Sequence, residues 1–195
     1  MHKSVQNLIK IQENIKSKFS FYQRIKIIAV SKTYPIEQIK PLIDFGHTDF
    51  GENKVQEAIE KWSKIKNENF LIKLHLIGKL QTNKVKHAVK IFDYIHSVDN
   101  EKLAKKISEE QIKNNKNIKI FIQVNIGDEI QKSGISKDKL NDFYQYCLNL
   151  KLDIQGLMCI PPENQNSESF FKHLKKKDFI ILLKLISKKT KIKIY

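Results

Sequence analysis

One pattern recurs along the chain, and it limits the possible folds more than any other feature. Short runs rich in β-branched residues alternate with longer segments whose apolar residues follow helical spacing. The short runs predict strands at residues 25–30, 48–50, 71–77, 94–98, 118–125 and 154–160. The longer segments predict helices at residues 2–22, 36–45, 53–66, 83–91, 100–114 and 137–150. This order predicts parallel strands joined by crossover helices.

Two α/β architectures are built from repeated strand–helix units: an open, doubly wound sheet and a (β/α)8 barrel of the TIM type. No glycine-rich nucleotide-binding loop follows the first predicted strand, so the open sheet lacks its usual signature. In a barrel, functional residues lie where a strand ends and the next loop begins. The ends of the predicted strands are therefore the candidate site positions.

Length and composition exclude several other classes of protein. The 195 residues suit one domain, and 41% hydrophobic with 29% charged residues is typical of a globular chain. No apolar run approaches the ~20 residues that a membrane span needs, and residues 1–18 hold no apolar secretory core. Cys147 and Cys159 form no CxxC pair and predict plain core thiols. We expect a cytoplasmic protein that does not bind membranes.

The net charge of +15 raises the possibility of a nucleic-acid partner. Arg24 is the only arginine, however, and phosphate and base recognition favour the bidentate guanidinium. Nine lysines lie in residues 171–195 against Asp178 alone, so much of the excess belongs to this stretch. We expect no nucleic-acid partner. The alternative is a basic binding module that contacts nucleic acid through these lysines.

Lys32 follows the first predicted strand, where a charged side chain must be solvated, paired or neutralised. A partly buried lysine loses its proton more readily and then forms a Schiff base with an aldehyde. The alternative is a lysine whose ammonium reaches water from the barrel mouth. The position alone favours this second interpretation.

The other strand ends carry weaker signals. After the second strand, Gly51 permits a tight turn, and Glu52 or Asn53 could cap the next helix. His75 alternates with apolar neighbours and so faces away from them, as either a hydrogen-bonded core histidine or a site residue. Met158, near the end of the sixth strand, is typical of core packing.

Six motifs in order give the chain a family resemblance that covers residues 5–175. They are AVSK at 29–32, FGENKVQE at 50–57, LHLIGKLQTNK at 74–84, HSVDNEKLA at 96–104, QVNIGDEIQKSGI at 123–135 and GLMCIPP at 156–162. Together they closely resemble the pyridoxal phosphate homeostasis proteins. That family resembles the barrel domain of alanine racemase and holds pyridoxal 5′-phosphate as a Schiff base on one lysine. The resemblance implies that Lys32 is this lysine and that Asn53, His75 and Met158 surround the cofactor.

The resemblance also implies a function in vitamin B6 homeostasis. Members look like single-domain, non-catalytic carriers or regulators, without the second domain that completes a racemase active site. It implies pyridoxal 5′-phosphate as the ligand, with pyridoxal-phosphate-dependent apoenzymes as candidate partners, and we expect a monomer. The alternative enzyme is a small amino-acid racemase with Lys32 as base, although racemisation also needs acid and base groups on both faces of the substrate carbon.

The sequence departs from the family after residue 162. The family continues with two strands, one resembling LSMGMS and one resembling VRIG, which hold the cofactor phosphate and face the pyridine nitrogen. Neither segment occurs in residues 163–195. We therefore expect an incomplete barrel of about six strand–helix units in residues 1–175, a lysine-rich tail outside the family in residues 176–195, and weakened cofactor binding. Two explanations of the tail are open. Either it is sequence from outside the family, as a shifted reading frame or an incomplete gene would give, or residues 191–195 form a degenerate seventh strand. We favour the explanation from outside the family.

Overall fold

A computed structural model describes residues 1–125 and 133–160. Six strands form one sheet: β1 Ala29–Val30, β2 Asp49–Glu52, β3 Lys73–Leu76, β4 Tyr94–Val98, β5 Lys119–Gln123 and β6 Asp153–Met158. The α-helices are α1 Lys3–Lys18, α2 Ile36–Asp44, α3 Val55–Glu68, α4 Val85–Ile91, α5 Glu101–Lys113 and α6 Leu140–Asn149. Single turns of 3₁₀ helix lie at Tyr22–Arg24 and Thr82–Lys84. The predicted alternation of strands and helices is confirmed.

All strand pairs are parallel, and the strands lie in the sheet in chain order from β1 to β6. A doubly wound sheet would instead reverse direction at a switch point between its two halves. Each helix from α3 to α6 contacts the helix before or after it, so these helices cover the same face of the sheet. The architecture is the barrel type, with six of its strands in the described residues. This confirms the predicted fold class.

The face of the sheet under the helices is mostly apolar. Strand residues that are fully buried there pack against Trp62 of α3 and against small residues of α4 and α5; they include Phe50, Leu74, Leu76, Ile95, Ile120 and Ile122. Alternation along each strand sends the intervening residues to the opposite face, which we call the interior face. Burial on the helix side therefore holds the sheet and its covering helices together.

The first strand is shorter than the pattern predicts. Residues 25–30 read as a strand, but only Ala29 and Val30 find partners, opposite Phe50 and Gly51 of β2. Ile27 instead packs into a second apolar cluster with Leu8, Ile11 and Ile15 of α1. The start of the predicted strand therefore packs against α1 instead of pairing with β2.

No helix of the described ranges is long and apolar enough to span a bilayer. The lysine-rich tail expected at residues 176–195 lies outside the described residues and stays a prediction, as does the boundary at residue 175.

Gly78 allows the loop after β3 to lie directly on the loop after β2. A Cβ atom at this position would stand 2.7 Å from Asn53 Cα, within the backbone of that residue. We expect Gly78→Ala to destabilise the fold by about 2 kcal/mol, because backbone cannot yield as a flexible side chain can. Urea unfolding measures this. The exposed neighbour gives the control: Lys79→Ala should stay within about 0.5 kcal/mol of wild type, and an equal effect of both changes would refute the close-approach explanation.

Candidate functional site

The four site residues predicted from the sequence lie on the strands or just beyond their carboxyl ends. Lys32 and Asn53 follow β1 and β2 and are half-buried. Met158 is the last residue of β6, 3% exposed, and stands opposite Gln123 at the end of β5. His75 lies one residue before the end of β3. Lys32, Asn53 and Met158 therefore lie at the carboxyl end of the sheet, where barrel sites are built, whereas the side chain of His75 contacts Asp49, the first residue of β2.

Lys32 occupies a tight turn. Ser31 N–H donates to the Gly51 carbonyl (2.9 Å), and Tyr34 N–H donates back to the Ser31 carbonyl (3.2 Å). Between them, Thr33 has φ +64°, as the third residue of a type II turn does. Glycine usually takes that position, and the left-handed conformation costs a residue such as threonine about 1–2 kcal/mol. The turn beside Lys32 must therefore be held by other contacts.

A buried carboxylate ties this turn to its surroundings. Glu52, at the end of β2, is 0% exposed. Its Oε1 accepts from Ser31 Oγ (2.8 Å), Lys61 Nζ (2.9 Å) and Trp62 Nε1 (2.9 Å). A buried carboxylate is costly unless it is paired and hydrogen-bonded. These donors pair Oε1 and join β1, β2 and α3 at one point, while Oε2 has no partner among the described residues.

Lys61 extends this connection to the far side of the turn. Its ammonium donates to the Ser31 carbonyl (2.8 Å), Glu52 Oε1 (2.9 Å) and Glu57 Oε1 (3.0 Å), one acceptor for each N–H. Glu57 Oε1 in turn accepts from Thr33 N–H (2.6 Å). Partial burial would raise the pKa of Glu57, but the hydrogen bonds from Thr33 and Lys61 outweigh it and hold that pKa below its usual value. Glu57 therefore stays ionised and bound to the turn.

The capping interpretation of Glu52 and Asn53 is wrong. The residue that caps the amino end of α3 is Lys54, and no side chain makes the cap hydrogen bond. Glu52 points instead into the layer between the sheet and α3, where its donors lie. The sequence did not reveal this, because Ser31 and Lys61 are 21 and 9 residues away from Glu52 in the chain.

A second polar chain lies on the interior face. Lys26 Nζ pairs with Asp49 Oδ1 (3.2 Å), and the same oxygen contacts His75 Nε2 (3.0 Å). His75 Nδ1 contacts His96 Nε2 at 3.0 Å. Lys26 is half-exposed, whereas His75 and His96 are 1% and 2% exposed. The chain of contacts thus runs from solvent into the interior.

Aromatic rings enclose both histidines. His75 stacks on Tyr94 with 4.2 Å between ring centroids, and His96 stacks on Phe121 at 4.3 Å. The two rings of each pair are nearly parallel, with interplanar angles of 8° and 7°. His75 is therefore a packed and hydrogen-bonded interior histidine, one of the two interpretations that its sequence context left open. Its place beside a cofactor stays a prediction.

The ionised Asp49 and the two neutral histidines determine which imidazole nitrogens carry a proton. Burial would raise the pKa of Asp49, but hydrogen bonds from His75 and Thr48 and the nearby Lys26 outweigh it and hold that pKa well below its usual range. Burial lowers the pKa of both His75 and His96. A neutral His75 that donates to Asp49 through Nε2 must accept at Nδ1, so His96 donates through its Nε2. His96 Nδ1 then keeps a lone pair without a partner among the described residues.

Sequence reasoning missed Asp49, His96, Glu57 and Lys61. His96 carries a weaker signal than His75, since only one of its two neighbours, Ile95, is apolar and the other is Ser97. Glu57 and Lys61 lie at an i,i+4 spacing that usually marks an exposed helix pair. Only the fold shows that this pair turns towards β1.

Neutral buried histidines make stability depend on pH. Below about pH 6.5 the unfolded chain binds protons at His75 and His96, while the folded protein with lowered pKa values does not, so stability falls as the pH falls. Between about pH 7.5 and 5.5 each histidine costs at most about 1.4 kcal/mol, and His96, whose pKa burial lowers further than that of His75, comes closer to this limit. His96→Gln keeps a donor for His75 and should remove roughly that share of the loss in urea unfolding. The exposed His87→Gln should retain the full loss, and equal slopes for both variants would contradict the assignment.

Comparison with known proteins places this geometry in a family. The family profile for the alanine racemase N-terminal domain matches residues 6–195. The pyridoxal phosphate homeostasis protein of Pasteurella multocida is 39% identical over 161 residues, which are 80% of this chain and 69% of that protein. The protein of the same name from Escherichia coli is 32% identical, over 87% of this chain and 76% of its own length.

Solved structures show the same likeness. PipY of Synechococcus elongatus, in a structure described as having PLP bound, is 30% identical with a TM-score of 0.72, over 84% of this chain and 75% of that one. An alanine racemase of Clostridium difficile reaches a TM-score of 0.62 at 16% identity, over 85% of this chain and 44% of that one, and so shares the fold. The resemblance stated from the six motifs is confirmed. The chain belongs to the pyridoxal phosphate homeostasis proteins, which are built on the fold of the alanine racemase N-terminal domain.

Proposed function

We propose that this chain binds pyridoxal 5′-phosphate covalently through Lys32 and serves vitamin B6 homeostasis as a carrier without catalytic turnover. The observation that carries the proposal is the setting of Lys32. Its side chain is half-buried beyond β1, and its ammonium forms no ion pair with the residues that the structure describes. The nearby carboxylates Glu52 and Glu57 are bound by Lys61 instead. Lys32 is therefore available to react.

The residues present fit such a ligand. The cofactor supplies an aldehyde, and a primary amine is the protein group that bonds to it reversibly. Lys32 would hold the ligand through its Nζ, whose addition to the aldehyde carbon would release the carbonyl oxygen as water. Asn53 and Met158, at the ends of β2 and β6, are proposed to line the pocket around it.

A carrier needs capture and release more than acid–base chemistry. Both ring nitrogens of His75 are engaged inside the protein, so this residue is proposed to support the pocket wall rather than to move protons on a substrate. Relatives in the family are named for homeostasis, and a PLP-bound form exists for PipY. These relationships support a carrier. The same proposal includes apoenzymes that receive the cofactor, a monomeric state and a cytoplasmic location.

The decisive variant is Lys32→Ala. Wild-type protein mixed with pyridoxal 5′-phosphate should develop the visible absorbance band of a protein-bound imine, and the band should be absent from Lys32→Ala because no other lysine is held in this turn. Lys79→Ala removes an exposed lysine from the loop after β3 and should keep the band. A band of equal strength in Lys32→Ala would refute the proposal.

The expectation of weakened cofactor binding has its own test. A built phosphate site adds charge-assisted hydrogen bonds and would favour the phosphorylated ligand by more than about tenfold. Because residues 163–195 hold no segment resembling the family's phosphate loop, pyridoxal and pyridoxal 5′-phosphate should titrate the Lys32 band at comparable concentrations. A strong preference for the phosphorylated form would show that the chain grips the phosphate after all.

A further inference from the structure

We propose that Glu57 is a positioning residue for Lys32. By accepting the Thr33 N–H it holds the turn in its left-handed conformation, and it thereby fixes the direction in which the Lys32 side chain leaves β1. This inference rests on the proposed function of Lys32 and assigns that function a supporting residue on another element.

The backbone is held on both sides of Lys32. Before it, all three polar groups of Ser31 are bonded: its N–H to Gly51, its carbonyl to Lys61 and its hydroxyl to Glu52. After it, Thr33 N–H donates to Glu57. Only the Lys32 side chain is left to move between two fixed points. Glu52 holds only the hydroxyl of Ser31 before Lys32, whereas after Lys32 the Thr33 N–H depends on Glu57 and the Tyr34 N–H closes the turn on the Ser31 carbonyl.

Glu57 is suited to positioning rather than to folding. Its side chain is 26% exposed, in contrast with the fully buried Glu52. The ion pair with Lys61, one helical turn along α3, turns the carboxylate towards the sheet and limits its rotamers. Removing Glu57 leaves Glu52, Lys61 and Ser31 joined as before. Its loss should therefore affect the turn far more than the stability of the fold.

The strained residue supplies a rescue experiment. Without the Glu57 acceptor, Thr33 can return to a negative φ, which turns the adjoining peptide and moves Lys32. Because the left-handed conformation disfavours a threonine by a factor of about ten, we expect Glu57→Ala to lower the reactivity of Lys32 about tenfold. Glycine adopts positive φ without this cost. Thr33→Gly in the same chain should therefore restore much of the loss.

Reductive labelling measures this in the full-length protein. The probe is pyridoxal, which lacks the phosphate, so the readout does not depend on a phosphate site. Lys32 Nζ adds to the aldehyde and water leaves; borohydride then delivers a hydride to the imine carbon, and water supplies the proton to nitrogen. Peptide mass spectrometry gives the labelling of Lys32 relative to Lys64, an 87% exposed lysine of α3.

Four variants are compared with wild type. Glu57→Ala should lower the ratio about tenfold, and Glu57→Gln, which keeps an oxygen acceptor for Thr33, should lower it less. The double variant Glu57→Ala with Thr33→Gly should recover. Glu60→Ala, an exposed glutamate of α3 that contacts Gln56, is the matched control and should resemble wild type. Urea midpoints should agree between the Glu57→Ala and Glu60→Ala proteins.

The outcomes separate two failures. Equal ratios in wild type and Glu57→Ala would overturn the positioning inference and leave the function of Lys32 intact. A double variant as poorly labelled as Glu57→Ala would also overturn it, because relief of the φ strain would then be irrelevant. A wild type without preference for Lys32 over Lys64 would refute the proposed function, and the inference with it.

Discussion

Glu52 places a carboxylate in the layer between the sheet and α3, where three donors converge on one of its oxygens. Because a buried carboxylate is costly without such donors, the bonds to Glu52 Oε1 favour the fold in which the ends of β1 and β2 and the middle of α3 meet at this point, even though Oε2 has no partner among the described residues. Lys61 passes the constraint on to Ser31 and Glu57. Polar contacts on the helix side of the sheet therefore fix the position of the turn that carries Lys32.

At β3 the two faces of the sheet carry different kinds of contact. On the helix side, Leu74 and Leu76 are fully buried and join strands to helices through the apolar core. On the interior face, His75 between them meets Asp49 and His96 in a chain of hydrogen bonds. Because side chains alternate along β3, Leu74 and Leu76 pack in the apolar core while His75 between them joins the hydrogen bonds of the interior face.

Much of this was predictable from local pattern. The alternation of strands and helices was visible in the sequence because burial on one face repeats at a fixed period. Lys32, Asn53 and Met158 lay at the ends of predicted strands, but only the family resemblance assigned them to a cofactor site. What could not be predicted depends on distant pairs. Thr33 and Glu57 are 24 residues apart, and Asp49 and His75 are 26 apart. No local rule connects such residues, so Glu52 was interpreted as a helix cap, and Glu57 and His96 received no role.

In the proposed function, Lys32, held in its turn by contacts from β2 and α3, is the residue that bonds to the aldehyde of pyridoxal 5′-phosphate. A crystal structure of the protein grown with this ligand tests it most directly. We expect continuous electron density from Lys32 Nζ to the aldehyde carbon, with Thr33 still left-handed and bonded to Glu57. Density joined to another lysine, or a ligand lying away from the end of β1, would contradict it.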